Sequence, residues 1–232
     1  MIKQTGGGLA EYCVAKADVT VIRPAEVSAA EGACLPGAGL TAHGALTSAG
    51  LKFDGSGPQK NILVTAASGG VGHLAVQLAK LGNTHVTATC GARNLDLVRS
   101  LGADEVLDYK TPEGAALKSP SGKKYDAVIQ CAPPVPWSVF EPNLSPTGKV
   151  IELSPGASTM WTFAVQKLTM SKKKLVPYFN SVKAENLVFL AELVKQGKLK
   201  VVTDCKHPLS DAGAAWAKCI DGHATGKIVV EP

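Results

Sequence analysis

Short runs of apolar, β-branched residues recur along the chain, and stretches of helical period separate them. Residues 61–66 read as a buried strand that ends in a tight turn, Ala67-Ser68-Gly69-Gly70-Val71-Gly72. Val71, Leu74, Ala75, Leu78 and Ala79 then recur at i, i+3, i+4, i+7 and i+8, one apolar face of a helix. Gly82 stands where a helix stop belongs. Residues 85–90 resume a strand. Leu97, Val98 and Leu101 give the core face of a second helix, closed by Gly102. Further strands are expected at 105–109, 125–131, 148–153 and 175–179, with a loop and one short helix over 111–124. Residues 160–170 are apolar and read equally as helix or loop. Leu187, Leu190, Ala191 and Val194 mark a long helix stopped by Gly197. Beyond it come a short strand from 201, a helix over 212–220 and a strand at 227–230. At the other end, 9–14 reads as a strand and 18–24 as another short strand and turn. Ser28 with Glu31 three residues on opens a small helix. Residues 35–46, rich in small side chains, read as a tightly packed helix.

Strands alternating with helices predict an α/β fold, a parallel sheet doubly wound with right-handed crossovers. In such sheets a ligand lies beyond the carboxyl ends of the strands, where strand order reverses. That rule nominates Ser68, Gly69, Gly70 and Val71 after the first strand, and Cys90, Gly91 and Arg93 after the second. It adds Cys131 and Ala132 after the fourth and Ser154 after the fifth, with Tyr109 on the adenosine side. Outside the glycine turn, each of these reads equally as a loop residue near a ligand and as one touching it.

The turn itself has a chemical logic. A pyrophosphate must approach backbone N–H groups at a helix start, where the helix dipole favours an anion. A side chain at Gly69 would obstruct that approach, and Gly72 lets helix and strand pack closely. The first glycine of the dinucleotide pattern is Ala67 here. Sites for NAD carry a carboxylate at the end of the second strand to hold the ribose 2′-OH. This chain has Thr89-Cys90-Gly91-Ala92-Arg93-Asn94 there, with no carboxylate and one guanidinium. Arg93 can fork onto a 2′-phosphate, so NADPH is the expected cofactor. The plainer alternative is a solvated residue at a helix start.

Composition narrows the field. The 232 residues are 45% hydrophobic and 19% charged, enough for a real core. The net charge of +5 is spread along the chain apart from Lys172-Lys173-Lys174, and no basic block interleaves with aromatics, which argues against a nucleic-acid partner. The six cysteines have no C-x-x-C pair, so neither zinc nor a disulfide framework is expected. No apolar run spans a bilayer, and no secretory or transit-type leader is recognised. His43, His73, His85, His207 and His223 are too scattered for a metal site. His73, in the first helical turn, is expected to be solvated.

Together these strings carry a resemblance. Leu35-Pro36 with Ala38-Gly39-Leu40-Thr41-Ala42, the turn at 66–72, Leu101-Gly102-Ala103-Asp104 and Gly226-Lys227-Ile228-Val229-Val230 resemble the quinone oxidoreductase branch of the medium-chain dehydrogenase/reductase superfamily. The longer strings over 107–114 and 223–227 are similar to its plant chloroplast-envelope members. The resemblance implies a Rossmann-type NADPH domain flanked by a GroES-like β domain. Residues 1–40 would be a remnant of the latter, 41–197 the NADP-binding domain and 198–232 the return to the substrate domain. It further implies zinc-independent hydride transfer from NADPH to the β-carbon of enones, lipid-derived ones included, or to quinones. By the same resemblance Thr41 approaches the nicotinamide ribose or pyrophosphate, its plainer alternative being helix packing. The location implied is the chloroplast, peripheral to the inner envelope, with a cytoplasmic protein as the alternative.

Against that family the chain starts near the end of the GroES-like domain. Apolar surface is therefore expected on 9–14 and 228–230, and homodimer formation is one way to cover it. Loss of the substrate domain opens a rival reading, a non-catalytic NADPH-binding module. Trp161 and Phe163 read either as substrate-pocket walls or as packing. Lys172–Lys174 reads as a solvated run or as a contact for an anionic membrane surface. No Ser-His-Asp set or paired carboxylate argues for hydrolysis. No Tyr-x-x-x-Lys motif argues for a short-chain reductase, and no catalytic side chain is singled out.

Overall fold

The architecture follows from six buried strands that alternate their side chains between two cores. A computed structural model describes residues 7–232. Strands β1 (Lys60–Val64), β2 (Thr84–Cys90), β3 (Glu105–Asp108), β4 (Tyr125–Gln130), β5 (Leu144–Glu152) and β6 (Lys174–Pro177) pair in parallel, in the order β3-β2-β1-β4-β5-β6. The order reverses between β1 and β4, which opens a crevice at their carboxyl ends. Successive residues face opposite sides. Ile62, Val64, Ile129 and Ile151 join the larger apolar cluster, and Leu63, Val128 and Val150 the smaller one behind the sheet.

The larger core is roofed by α1 (Ala29–Cys34), α2 (Leu40–Ser48), α3 (Gly72–Lys80), α4 (Leu95–Ser100) and α8 (Ala184–Lys195). Ser28 and Glu31 close the expected capping box on α1, with the Ser28 amide donating to Glu31 Oε2 at 2.9 Å. Between α1 and α2, Leu35–Gly39 widens into a π turn. Pro36, which lacks an N–H and crowds the preceding turn, accounts for the widening. The short helices α5 (Pro112–Ala115) and α6 (Trp137–Phe140) flank the smaller core. Of the ambiguous 160–170 stretch, residues 160–168 are helical, the end of α7 (Ala157–Leu168).

Beyond α8, β7 (Thr203–Pro208) and β8 (Lys227–Glu231) form a separate parallel pair, connected and covered by α9 (Ala212–Asp221). Gly222 ends α9 in the left-handed region at φ +74°.

Three expectations are corrected. Residues 9–14 form no strand: an extended run needs a partner ladder, and among the described residues none pairs with it. Tyr12 and Val14 stand 90% and 95% exposed. The strand expected within 18–24 is instead a single 3-10 turn, Ala17–Val19, followed by irregular chain. Val229, expected on an apolar surface, is buried in the larger core, where β8 packs on α1.

Candidate functional site

The site begins where β1 stops. Ala66 takes a left-handed φ of +46°, and the Ala67 amide donates to the Thr89 carbonyl at 2.7 Å, tying the turn to the end of β2. A Cβ on Gly72 would lie 2.3 Å from the Ala66 carbonyl oxygen and 2.7 Å from Ala67 Cα, so only glycine lets α3 start this close to β1. The amides of Gly70, Val71 and Gly72 donate to no acceptor among the described residues. They point out of the helix start, a ready seat for an anion.

His73 departs from expectation. It is fully buried, not solvated, and its Nδ1 lies 2.8 Å from the Gly69 carbonyl. That carbonyl can only accept, so Nδ1 carries the ring hydrogen. Burial pulls the imidazole down to about 4, so it is neutral at pH 7. It braces the glycine turn from beneath.

The far end of the chain completes the turn. The Gly226 amide donates to the Ser68 carbonyl at 2.7 Å. Gly226 itself has φ +79°, and a Cβ there would meet the Val202 carbonyl oxygen at 2.1 Å. The Lys227 side chain lies over Gly70, with Nζ 3.3 Å from where a Gly70 Cβ would be.

A cleft of about 920 Å³ opens at the carboxyl ends of β1, β2 and β4. Of the nominated residues, Ser68, Gly69, Cys90, Gly91, Arg93, Tyr109 and Ala132 line it. Tyr109 flanks Gly91, whose added Cβ would lie 3.5 Å from the ring. Arg93 donates across the lip to the His223 carbonyl. The Cys90 thiol, pushed up to about 11 by burial and then by Asp108, is inert, leaving its backbone to shape the wall.

Thr41, Gly70, Val71, Cys131 and Ser154 stand outside that lining. Thr41 donates back to the Gly37 carbonyl at 2.8 Å. Gly70 and Val71 belong to the turn beside the cleft. The Ser154 amide donates to the buried Glu152 carboxylate at 3.2 Å. Trp161 is 73% exposed on α7, and neither it nor Phe163 reaches the cleft.

Several lining residues lay outside the nominated set, among them Thr65, Lys110, Leu117 and the 222–224 segment. Thr65 accepts from the Cys131 and Ala132 amides at 2.9 and 3.2 Å and donates to Gln130 Oε1 at 2.7 Å. Gln130 Nε2 in turn donates to the Pro133 carbonyl at 2.9 Å. This relay fixes the 131–135 wall, and its signal was a polar residue closing each of two buried strands. Gly222, His223 and Ala224 form the opposite lip, brought there by β8, which spacing along the chain does not reveal.

The donors fit a dinucleotide. The free amides and Lys227, beside the cleft, could take a pyrophosphate, Arg93 and Lys110 add positive charge at one end, and the Ala132–Val135 wall offers an apolar face at the other.

A family model described as zinc-binding dehydrogenase matches residues 101–230. The chain is 72% identical over 228 residues to the chloroplast envelope quinone oxidoreductase homolog of Arabidopsis thaliana, covering 98% of this chain and 69% of that one. It is 68% identical over 229 residues to the chloroplastic quinone-oxidoreductase homolog of Spinacia oleracea, covering 98% and 70%. The solved quinone oxidoreductase from Coxiella burnetii aligns with a TM-score of 0.78 at 30% identity, over 91% of this chain but only 63% of that one.

Proposed function

The chain belongs to the zinc-binding dehydrogenase family of medium-chain dehydrogenases/reductases, and from that premise we propose that it is an NADPH-dependent oxidoreductase acting on α,β-unsaturated carbonyls or quinones. One observation carries the reading: unpartnered amides at the start of α3 stand in the turn beside a cleft that Arg93 lines, and no carboxylate closes β2. Bound NADPH supplies a hydride, and an enone or quinone accepts it at an electron-poor carbon. The chain's residues do the rest by placement. Gly70, Val71 and Gly72 amides, with Lys227, hold the pyrophosphate. Arg93 exchanges the His223 carbonyl for the 2′-phosphate, a swap that an anion at bonding distance favours. Thr65 and Gln130 fix the backbone of the wall beside the reacting end.

Zinc takes no part in this reading, since the cysteines lack paired ligand spacing. Dialysis against a chelator should leave turnover within about twofold, because no structural or catalytic ligand set is removed. The chloroplast is the expected compartment, as in the names of the plant relatives. Among the described residues no helix is long and apolar enough to cross a membrane. Contact with an anionic lipid surface falls in this reading to Lys172–Lys174, beside the exposed Leu168 and Met170.

The test mixes the protein with NADPH or NADH and either a benzoquinone or a simple enone, following loss of the reduced nicotinamide absorbance. NADPH should exceed NADH by about tenfold in kcat/KM, and Arg93→Gln should erase that margin while sparing NADH, the loss of one charge-assisted phosphate contact. Binding of NADPH with no turnover would reduce the protein to a nucleotide-binding module. Absence of any binding heat would overturn the reading altogether.

A further inference from the structure

Away from the cleft, β7 carries a second constellation. Strand alternation puts Cys205 and His207 on one face. The register with β8 slips between Thr203 and Cys205, an irregularity of the kind that re-aims side chains. Cys205 Sγ lies 3.4 Å from His207 Nε2. The other ring nitrogen, Nδ1, lies 3.3 Å from Asp211 Oδ2, in the turn that leads into α9. A carboxylate only accepts, so Nδ1 holds the ring hydrogen and Nε2 turns its lone pair toward the thiol. Lys218 of α9 pairs with Asp204, the residue before Cys205. Cys205 is half-buried. The three groups lie in line, with the carboxylate on the far side of the ring, so they do not converge on a metal. No group of three or more candidate ligands among the described residues does so. Cys34 and Cys90, by comparison, are buried in the larger core.

We propose that Cys205 is a nucleophilic thiol with His207 as its general base and Asp211 positioning that base, and that it takes α,β-unsaturated carbonyls as covalent ligands. The choice of electrophile rests on the function proposed above, whereas the activated thiol does not. In the step, His207 Nε2 takes the thiol proton as sulfur bonds to the β-carbon. The π pair of the alkene moves to the carbonyl oxygen as an enolate. The proton then returns from His207 to the α-carbon, leaving a thioether. The net change is addition of S–H across C=C, with no oxidant or reductant.

The experiment uses the full chain without nicotinamide nucleotide. It is treated with iodoacetamide or methyl vinyl ketone at neutral pH, and adducts on each cysteine are followed by peptide mass spectrometry. The exposed Cys13 and Cys219 serve as references within the same molecule. Cys205 should react at least about tenfold faster than either with both reagents, a modest share of what a positioned base supplies. His207→Gln should bring Cys205 down to the reference rate while leaving Cys13 and Cys219 unchanged, which also reports an intact fold. Asp211→Asn should slow Cys205 alone, and Asp211→Glu should restore it. Equal rates for Cys205 and Cys219 with both reagents, or no effect of His207→Gln, would overturn the activated thiol. Fast iodoacetamide labelling without an enone adduct would overturn the ligand class. NADPH oxidation by Cys205→Ser, measured separately, reports the reductase reading on its own.

Discussion

Gly72 has no freedom at all. An added methyl there meets main-chain atoms of the preceding strand end, which cannot swing aside as a side chain would. Gly72→Ala should therefore cost about 1–3 kcal/mol in urea unfolding, the usual range for overpacking. Gly213, in the first turn of α9, has nothing within 4 Å of its added Cβ. Gly213→Ala should gain about 0.5 kcal/mol through helix propensity and reduced unfolded-state freedom. The two substitutions are chemically identical, so opposite signs would isolate the close helix-to-strand approach as the cause. Gly72 was legible as a residue because a tight strand-to-helix junction needs glycine where the helix packs close to the strand. His73 was not. Its burial comes from the neutral ring folding back under the turn toward the Gly69 carbonyl, with Lys227 nearby, and a polar residue in a first helical turn gives no warning of that.

Elements were legible where burial on both faces left an unbroken apolar run. All six strands of the main sheet emerged within a few residues of their ends, and β5 alone started appreciably earlier than expected. The failures lie where an element depends on a partner. Residues 9–14 read as a strand-like run yet pair with no neighbour among the described residues, and the 222–224 lip owes its place to the β7–β8 pair. Exposure makes the first of these testable. Trypsin should cut after Lys16 well before any site within the main sheet, since Lys16 is exposed on a segment with no ladder bonds. Equal rates of cleavage within the sheet would contradict it. Glu105 shows the opposite case. Burial would raise its carboxyl, but Ser121, Ser119 and Thr87 outweigh that and hold it at about 2. It thereby clasps β2, β3 and the loop through 119–121.

For the whole molecule these groups set how stability responds to acid. His73 is held neutral, its folded value of about 4 lying below the ordinary 6.5. The unfolded chain therefore binds the extra proton first, and stability present above pH 6.5 drains as pH falls toward 4. The loss from this one group is about 3 kcal/mol. His43, also lowered by burial, adds to it in the same direction. Glu105 is depressed, so its contribution is present above its ordinary 4.5 and disappears as pH falls through about 2. Urea midpoints measured across pH should fall in two stages, and His73→Gln should flatten the upper one. A midpoint that holds steady from pH 7 to 4 would show that His73 is not buried as described.

The bond from the Gly226 amide to the Ser68 carbonyl also has a consequence in time. A nascent polypeptide emerging from the ribosome exposes the β1–α3 turn long before its clasp has been translated. Until then the anion seat lacks both the strap across Ser68 and the lysine over Gly70. Coenzyme capture should thus be a late event in biogenesis, after docking of β8, whatever the order in which the sheet itself assembles.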